Sequence, residues 1–295
     1  GMTSLVSFLG RANYSLMNKY LFTASFRRDG SSKFAPGNKW SNFASGAIAW
    51  RASEEEFIKS LNIFSNLKIR ASYGQTGNQA IGAYATRDYL TVANYPINGA
   101  LASGFANLTW RGPANPDLKW ETTTQYNAGI DMGFFENRVN FTVDVYYKKT
   151  SDLLQNIQIP QSTGFSNMTT NFGDVINKGL EITGKFYPIS GKKFKWDFDA
   201  NISFNRNKIE GLPGDQFAQS WSDADAVFIQ RNGMPIGTIF GYVEDGFYDN
   251  IAEVRADPFY ANESEAVCKS MIGEVKYKDL DGKPGITDAD RQIIG

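Results

Sequence analysis

Apolar and polar side chains alternate along this chain with a period of two. Val6, Phe8, Ala12, Tyr14 and Leu16 share one parity, and Ser7, Arg11, Asn13 and Ser15 fall on the other. After a short break at residues 17–19, Tyr20, Phe22, Ala24 and Phe26 alternate with Thr23, Ser25 and Arg27. The same pattern returns over residues 126–134, 141–148 and 194–205. The last of these sets Phe194, Trp196, Phe198, Ala200, Ile202 and Phe204 against Lys195, Asp197, Asp199, Asn201, Ser203 and Asn205. A period of two puts alternate side chains on opposite faces of a β-strand. Strands of soluble domains run to about 5–6 residues, whereas a tilted strand needs about 9–11 to cross a bilayer. The longest of these segments have the membrane length.

The spacing between segments sorts into two classes. Connections at residues 17–19, 135–138 and 189–193 are tight enough for hairpins. Those at residues 29–39, 77–119, 151–173 and 207–225 are long, with one further link near 52–66. Short and long alternate along the chain. An up-and-down barrel places odd turns at one rim and even turns at the other, and outer-membrane barrels have short turns on one side and long loops on the other. A β-sandwich gives no reason for that segregation. The two differ in facing: a barrel turns its apolar parity outward to lipid, and a sandwich turns it inward.

Composition narrows the function more than the fold. With 42% hydrophobic and 21% charged residues, the chain is too apolar to remain disordered. Aromatics make up 14%, and 28 glycines stand against 10 prolines, which suits a strand-and-turn protein. A net charge of -1 offers no field to gather nucleic acid. The chain has no His and one cysteine, Cys268, so a His-based zinc site, a Ser-His-Asp triad and an internal disulfide are all excluded. No apolar run approaches 18 residues, so no helical span is expected.

Five blocks, in order, carry a family resemblance. Lys19-Tyr20-Leu21-Phe22-Thr23-Ala24-Ser25-Phe26-Arg27-Arg28-Asp29-Gly30-Ser31-Ser32 resembles the strand-and-loop motif of SusC/RagA-type TonB-dependent outer-membrane transporters. Leu67-Lys68-Ile69-Arg70-Ala71-Ser72-Tyr73-Gly74-Gln75-Thr76-Gly77-Asn78-Gln79 and Asn115-Pro116-Asp117-Leu118-Lys119-Trp120-Glu121 match next. Asn177-Lys178-Gly179-Leu180-Glu181 and the stretch from Lys276 to the C-terminus complete the set. The resemblance implies a barrel of about 22 strands with a plugged lumen, in the outer membrane of a Gram-negative bacterium. It also implies import of glycans or peptides, driven by the TonB complex, with a SusD-like surface lipoprotein as partner.

The expected fold is therefore all-β: a partial antiparallel up-and-down transmembrane barrel, with about 10–12 strands of the larger barrel in residues 1–295. The chain opens and closes inside patterned sequence, so both ends read as cut. The plug, the TonB-contacting segment and the closing C-terminal strands are expected outside these residues. Such a wall is not an enzyme. The alternative is a secreted β-rich carbohydrate-binding module with a flat aromatic stacking face.

Several groups of residues are candidates for binding. Asp279, Asp281 and Asp290 occupy positions 1, 3 and 12 of a calcium-loop pattern, with Ile286 at position 8. Lys283 and Pro284 replace the acid and glycine that the pattern wants at positions 5 and 6, which weakens it; no cofactor is expected, and a solvated acidic turn is the plainer reading. Trp40, Trp50, Trp120 and Trp196 lie near strand ends and read as an aromatic girdle. Glu54, Glu55 and Glu56 open a short amphipathic stretch with Phe57, Leu61 and Phe64 that reads as a rim helix. Asp131, Asp144, Asp197 and Asp199 fall on the polar parity, toward a wet lumen. Trp110, Phe217 and Trp221 are the expected ligand or partner contacts, within long loops at residues 81–119, 151–172, 207–225 and 248–271.

Overall fold

The computed structural model describes every residue except 1, 89, 98, 108–111, 192, 219–226, 284 and 295. Within residues 1–211, the chain runs through β1 (Leu5–Leu16), β2 (Tyr20–Ser31) and β3 (Trp40–Arg51), then a single helical turn and α1 (Glu56–Lys59). Next come β4 (Phe64–Asn78), β5 (Leu90–Ile97), β6 (Ala100–Asn107), β7 (Glu121–Phe134) and β8 (Val139–Ser151). The short pair β9 (Leu154–Gln158) and β10 (Asn167–Asn171) precedes β11 (Asp174–Ser190) and β12 (Lys195–Glu210). One eight-stranded sheet takes the order β1-β2-β3-β4-β7-β8-β11-β12, every neighbour antiparallel. The hairpins β5–β6 and β9–β10 pair apart from it, inside the two longest connections. Sequence alternation passed over both hairpins, because Pro96 and a run of small residues in β6 blur the period there.

The tight turns form as their lengths require. Met17 and Asn18 both take positive φ, 52° and 55°, at the centre of the three-residue connection, where Lys19 N donates to Leu16 O at 3.0 Å; a left-handed pair there suits the twist of the flanking strands. Phe135, Glu136 and Asn137 do the same at 53°, 56° and 61° in the β7–β8 turn.

Register converts the period of two into two continuous faces. Tyr14, Phe22, Ile48, Ala71, Ala128, Val145, Leu180 and Phe204 stand in one row across all eight strands. One residue along, Asn13, Thr23, Ala47, Ser72, Asn127, Tyr146, Gly179 and Asn205 form the matching row on the other face. Phe22, Ile130, Val143, Phe198 and Ile202 share the apolar face, while Asp144, Asp197 and Asn201 fall on the polar one. The apolar face is open: Ile202 is 51% exposed and Phe204 57%. A sandwich would bury these rings under a second sheet, so the sandwich alternative fails here. Eight long strands form this wall, and the other strands are short and lie in separate small sheets.

Residues 212–295 form a second compact unit. Its four-stranded sheet has the order β13 (Gln216–Ala218), β14 (Val227–Gln230), β15 (Thr238–Gly241) and β18 (Gln292–Ile293). β16 (Glu244–Phe247) pairs with β17 (Val275–Tyr277), and α2 (Ile251–Ala256) and α3 (Glu265–Ser270) lie between them in sequence. Much of the segment 248–271, expected as open loop, is thus helical. Its caps are ordinary: Asn250 accepts from Glu253 N at 3.0 Å, and Ser264 from Val267 N at 3.4 Å. Tyr248, Val254 and Cys268 make a small buried core. Burial, then the hydrogen bond to Asp257 Oδ2 at 2.6 Å, pushes the Tyr248 phenol up.

Asp290 shapes the end of this unit. Fully buried, it accepts from Leu280 N (2.7 Å) and Asp281 N (3.1 Å) on one oxygen, and from Thr287 N (2.7 Å) and Thr287 Oγ1 (3.2 Å) on the other. Those donors, the backbone N–H of Thr287 first, hold its carboxyl down at about 2. A depressed carboxyl stabilises the fold fully above its ordinary value and loses that contribution as the pH falls through the lowered one. Amide exchange over residues 279–291 of the full-length protein, corrected for intrinsic rate, is expected to stay slow down to about pH 4 and to quicken toward about pH 2. Asp290→Asn, which keeps the shape but loses an acceptor oxygen and the charge, is expected to exchange fast throughout. Equal protection in the variant would remove Asp290 from this role.

Candidate functional site

The polar face of the wall carries a charged network that spans three strands, built by register. Lys68 and Arg70 on β4 meet Asp131 on β7, at 3.7 Å and 3.3 Å, and Arg70 Nη2 reaches on to Asp144 Oδ2 on β8 at 2.7 Å. Thr142 donates to Asp131 Oδ1 at 3.2 Å. Arg70 can span to β8 because its direct neighbour on β7 is Gly129. A Cβ there would lie 2.5 Å from Asp144 Oδ1 and 2.8 Å from Arg70 Cζ. Gly179 works alike: Tyr146 crosses over it to accept from Asn205 Nδ2 at 2.8 Å, and a Cβ would stand 2.6 Å from the phenol oxygen. Each glycine lets a long polar side chain bridge two strands instead of one. Such bridges brace a hydrated wall.

At the long-loop end, three connections are sewn into one rim. Phe34, Phe43, Ile81, Leu118 and Trp120 pack as a buried cluster, and Trp120 Nε1 donates to Lys39 O at 3.0 Å. Phe43 fits because Gly77 faces it; a Cβ there would sit 2.0 Å from the ring. Asn115 donates to Thr169 O (3.0 Å), and Asn171 exchanges hydrogen bonds with both Lys119 backbone groups at 2.9 Å. Glu121 accepts from Asn78 Nδ2 (3.1 Å) and Leu154 N (3.1 Å). The block from Asn115 to Glu121 is therefore a knot joining residues 32–39, 79–119 and 152–171. Sequence reasoning noticed that block without finding its job, since its hydrogen-bond partners across the rim are 33 to 81 residues away along the chain.

Other expected residues fall in several places. Trp110 and Trp221 lie outside the described residues. Phe217 sits in β13, paired with Ile229. Trp40 and Trp196 are exposed as girdle residues should be, with Arg28 5.3 Å over the Trp40 ring. Trp120 is corrected: 5% exposed, it belongs to the rim cluster and not to a girdle, because the loops fold over it. The expected rim helix forms only as the single turn α1; Leu61 lies beyond it and Phe64 opens β4. Glu55, just before α1, accepts from Lys19 Nζ (2.8 Å), Tyr20 Oη (2.9 Å) and Trp50 Nε1 (3.3 Å), and these donors, Lys19 first, lower its carboxyl. Carboxylate oxygens of Asp279, Asp281 and Asp290 lie within 4.8 Å of one another. Asp290 has already spent both oxygens on N–H and O–H donors, and Lys283 holds Asp281 at 3.0 Å. Pro284 lies outside the described residues.

Comparison with known proteins gives this wall a family. Residues 3–287 match the family described as TonB dependent receptor-like, beta-barrel. TonB-dependent receptor P3 of Formosa agariphila is 38% identical over 306 residues, covering 99% of this chain and 29% of its own length. TonB-dependent receptor SusC of Bacteroides thetaiotaomicron is 38% identical over 252 residues, 83% of this chain and 25% of its own length. Among solved structures, the RagAB peptide transporter superposes with a TM-score of 0.71 at 28% identity, over 84% of this chain and 27% of that one. The chain thus spans less than a third of these relatives. An exposed apolar face opposite a charged polar one, on strands of 12 to 17 residues, is what a lipid-facing barrel wall requires. The chain belongs to the TonB dependent receptor-like β-barrel family and forms part of an outer-membrane barrel of a Gram-negative bacterium.

Proposed function

We propose that the protein to which this wall belongs imports glycans or peptides across the outer membrane with TonB-supplied energy, and that a SusD-like lipoprotein closes its outer rim. The observation that carries this reading is the rim itself. Three long connections are packed on a shared buried core and locked by the Asn115–Glu121 knot, so they present a fixed platform. A wall that only had to hold the membrane would need no connections of this length. Family support comes from SusC and from the RagAB peptide transporter. The chain carries no catalytic chemistry of its own in this reading and no resident cofactor. The three-aspartate loop is a folding device, and Trp110, Phe217 and Trp221 are the side chains proposed to touch ligand or partner.

The test uses the full-length protein together with the SusD-like lipoprotein proposed as its partner. Removing the β5–β6 hairpin (residues 90–107) or the β9–β10 hairpin (residues 154–171) is expected to leave membrane insertion intact and to lower lipoprotein capture, substrate uptake, or both. Uptake is read with defined glycans and peptides. If both deletions insert normally and capture and uptake match the parent, the rim is not the working surface. The wall can be tested separately. Gly129→Val forces its side chain between Arg70 and Asp144 and is expected to destabilise the barrel by about 1–3 kcal/mol, seen as a lowered unfolding midpoint in detergent. Ala128→Val, one residue along on the open face, should change that midpoint little.

A further inference from the structure

The apolar face does not stay apolar up to the rim. Along one register row, Tyr73, Tyr126 and Tyr147 stand side by side, with ring centroids 5.2 Å and 6.4 Å apart. The same row continues into Lys178 on β11 and Arg206 on β12, directly opposite each other. One row nearer the long loops, Lys149 and Lys208 lie on this same face. Those two are neutralised, Lys149 by Asp174 at 2.7 Å and Lys208 by Glu210. Lys178 and Arg206 are exposed and have no acidic partner among the described residues. Like charges directly opposite on adjacent strands are destabilising, so the pair is incomplete without an anion.

What lies beside the pair says which anion. A groove of about 990 Å³ opens on the same face, floored by small residues: Ala12, Ala24 and Gly46 in the first three strands, then Ala71 and Ala128 one row lower. Phe22 and Ile48 wall it on one side and the tyrosines on the other, and it ends against Tyr147 and Lys178. Toward the short turns, the neighbouring rows on β8, β11 and β12 hold Val145, Leu180 and Phe204, then Val143, Ile182 and Ile202. From mid-wall toward the rim, aliphatic rows give way to one row that holds the tyrosines and the two cations together. That is the change from acyl chain to interface in a leaflet, where aromatic rings and cations sit together at headgroup level.

We propose that Lys178 and Arg206 clamp the phosphate of an anionic lipid of the outer leaflet, with one of its acyl chains lying in the groove floored by Ala71 and Ala128. The inference rests on the outward facing of the apolar parity and is independent of what the protein imports. A free phosphate would have no use for the groove, and a neutral lipid would leave the two cations opposed. The phosphate oxygens accept charge-assisted hydrogen bonds from the guanidinium and the ammonium, and the groove shelters the chain between aromatic walls.

The test is lipid retention by the full-length protein in detergent, read by native mass spectrometry. The probes are a phosphorylated glucosamine lipid, the same lipid with its phosphates removed, and inorganic phosphate alone. The parent is expected to prefer the phosphorylated lipid by about 30-fold, the order that two headgroup-level cations supply. Lys178→Gln with Arg206→Gln should abolish that preference. Lys178→Arg with Arg206→Lys, which keeps both charges, should retain it and guards against a folding artefact. Ala128→Phe, which fills the groove, should weaken retention of both lipids alike. Inorganic phosphate should not displace the bound lipid. Any of three results would overturn the proposal: no preference in the parent, an undiminished preference in the double Gln variant, or displacement by inorganic phosphate.

Discussion

The hydrocarbon of a bilayer offers no hydrogen bonds, and the rest of this structure depends on that constraint. Every backbone N–H and C=O at membrane depth must find a partner on a neighbouring strand. The ladder must therefore be long, lateral and in register, which the eight antiparallel strands satisfy. Because side chains alternate, one parity meets lipid and the other is turned away from it. Ile202 and Phe204 can stay more than half exposed only because their surroundings are not water. In water the same surface would be an aggregation site. The strands β1 and β12 end the described sheet with one side unpaired, which the same constraint forbids in lipid unless further strands lie against them.

Once the wall is fixed, small residues decide what can cross it. Gly129 and Gly179 sit where a long side chain on one strand must reach the second strand over. They turn nearest-neighbour pairs into wider braces such as Arg70–Asp144 and Tyr146–Asn205. On the lipid side, Ala71 and Ala128 do the reverse, leaving a groove open between rings. The rim uses a third device. Gly77 admits the Phe43 ring, and the Phe43–Trp120 cluster then gives long loops a core of their own. Loops that carry such a core act as a surface and not as tethers.

The wall was legible in the sequence because period two is a local signal and survives without any knowledge of partners. Residues 194–205 announced β12 within one residue of its start, and the tight turn at 17–19 was visible from its length alone. Trp120 was misplaced because strand-end position is local, while its burial is decided largely by residues such as Ile81 and Phe34, 39 and 86 positions away. The braces were invisible for the same reason: nothing near Gly129 in sequence indicates that Arg70 and Asp144 flank it. Helices α2 and α3 were missed although their caps, Asn250 with Glu253 and Ser264, could have been read. The resemblance blocks hold contacts that the sequence alone does not show. Gly179 lies in one and Trp120 in another, and each answers to a packing contact far away in sequence.

The central claim is that Ile202 and Asn201, adjacent on one strand, face lipid and water respectively. Cys268 is the chain's one cysteine and is buried, so single labels can be placed cleanly in a full-length protein engineered to hold no other. Nitroxide labels at Ile202→Cys and Asn201→Cys, in protein reconstituted into bilayers, report collision with oxygen, which concentrates in hydrocarbon, and with a polar nickel chelate, which stays in water. The account predicts that the label at 202 is relaxed by oxygen and shielded from nickel, and that the label at 201 behaves the opposite way. Equal nickel access at both positions, or the reverse assignment, would contradict it.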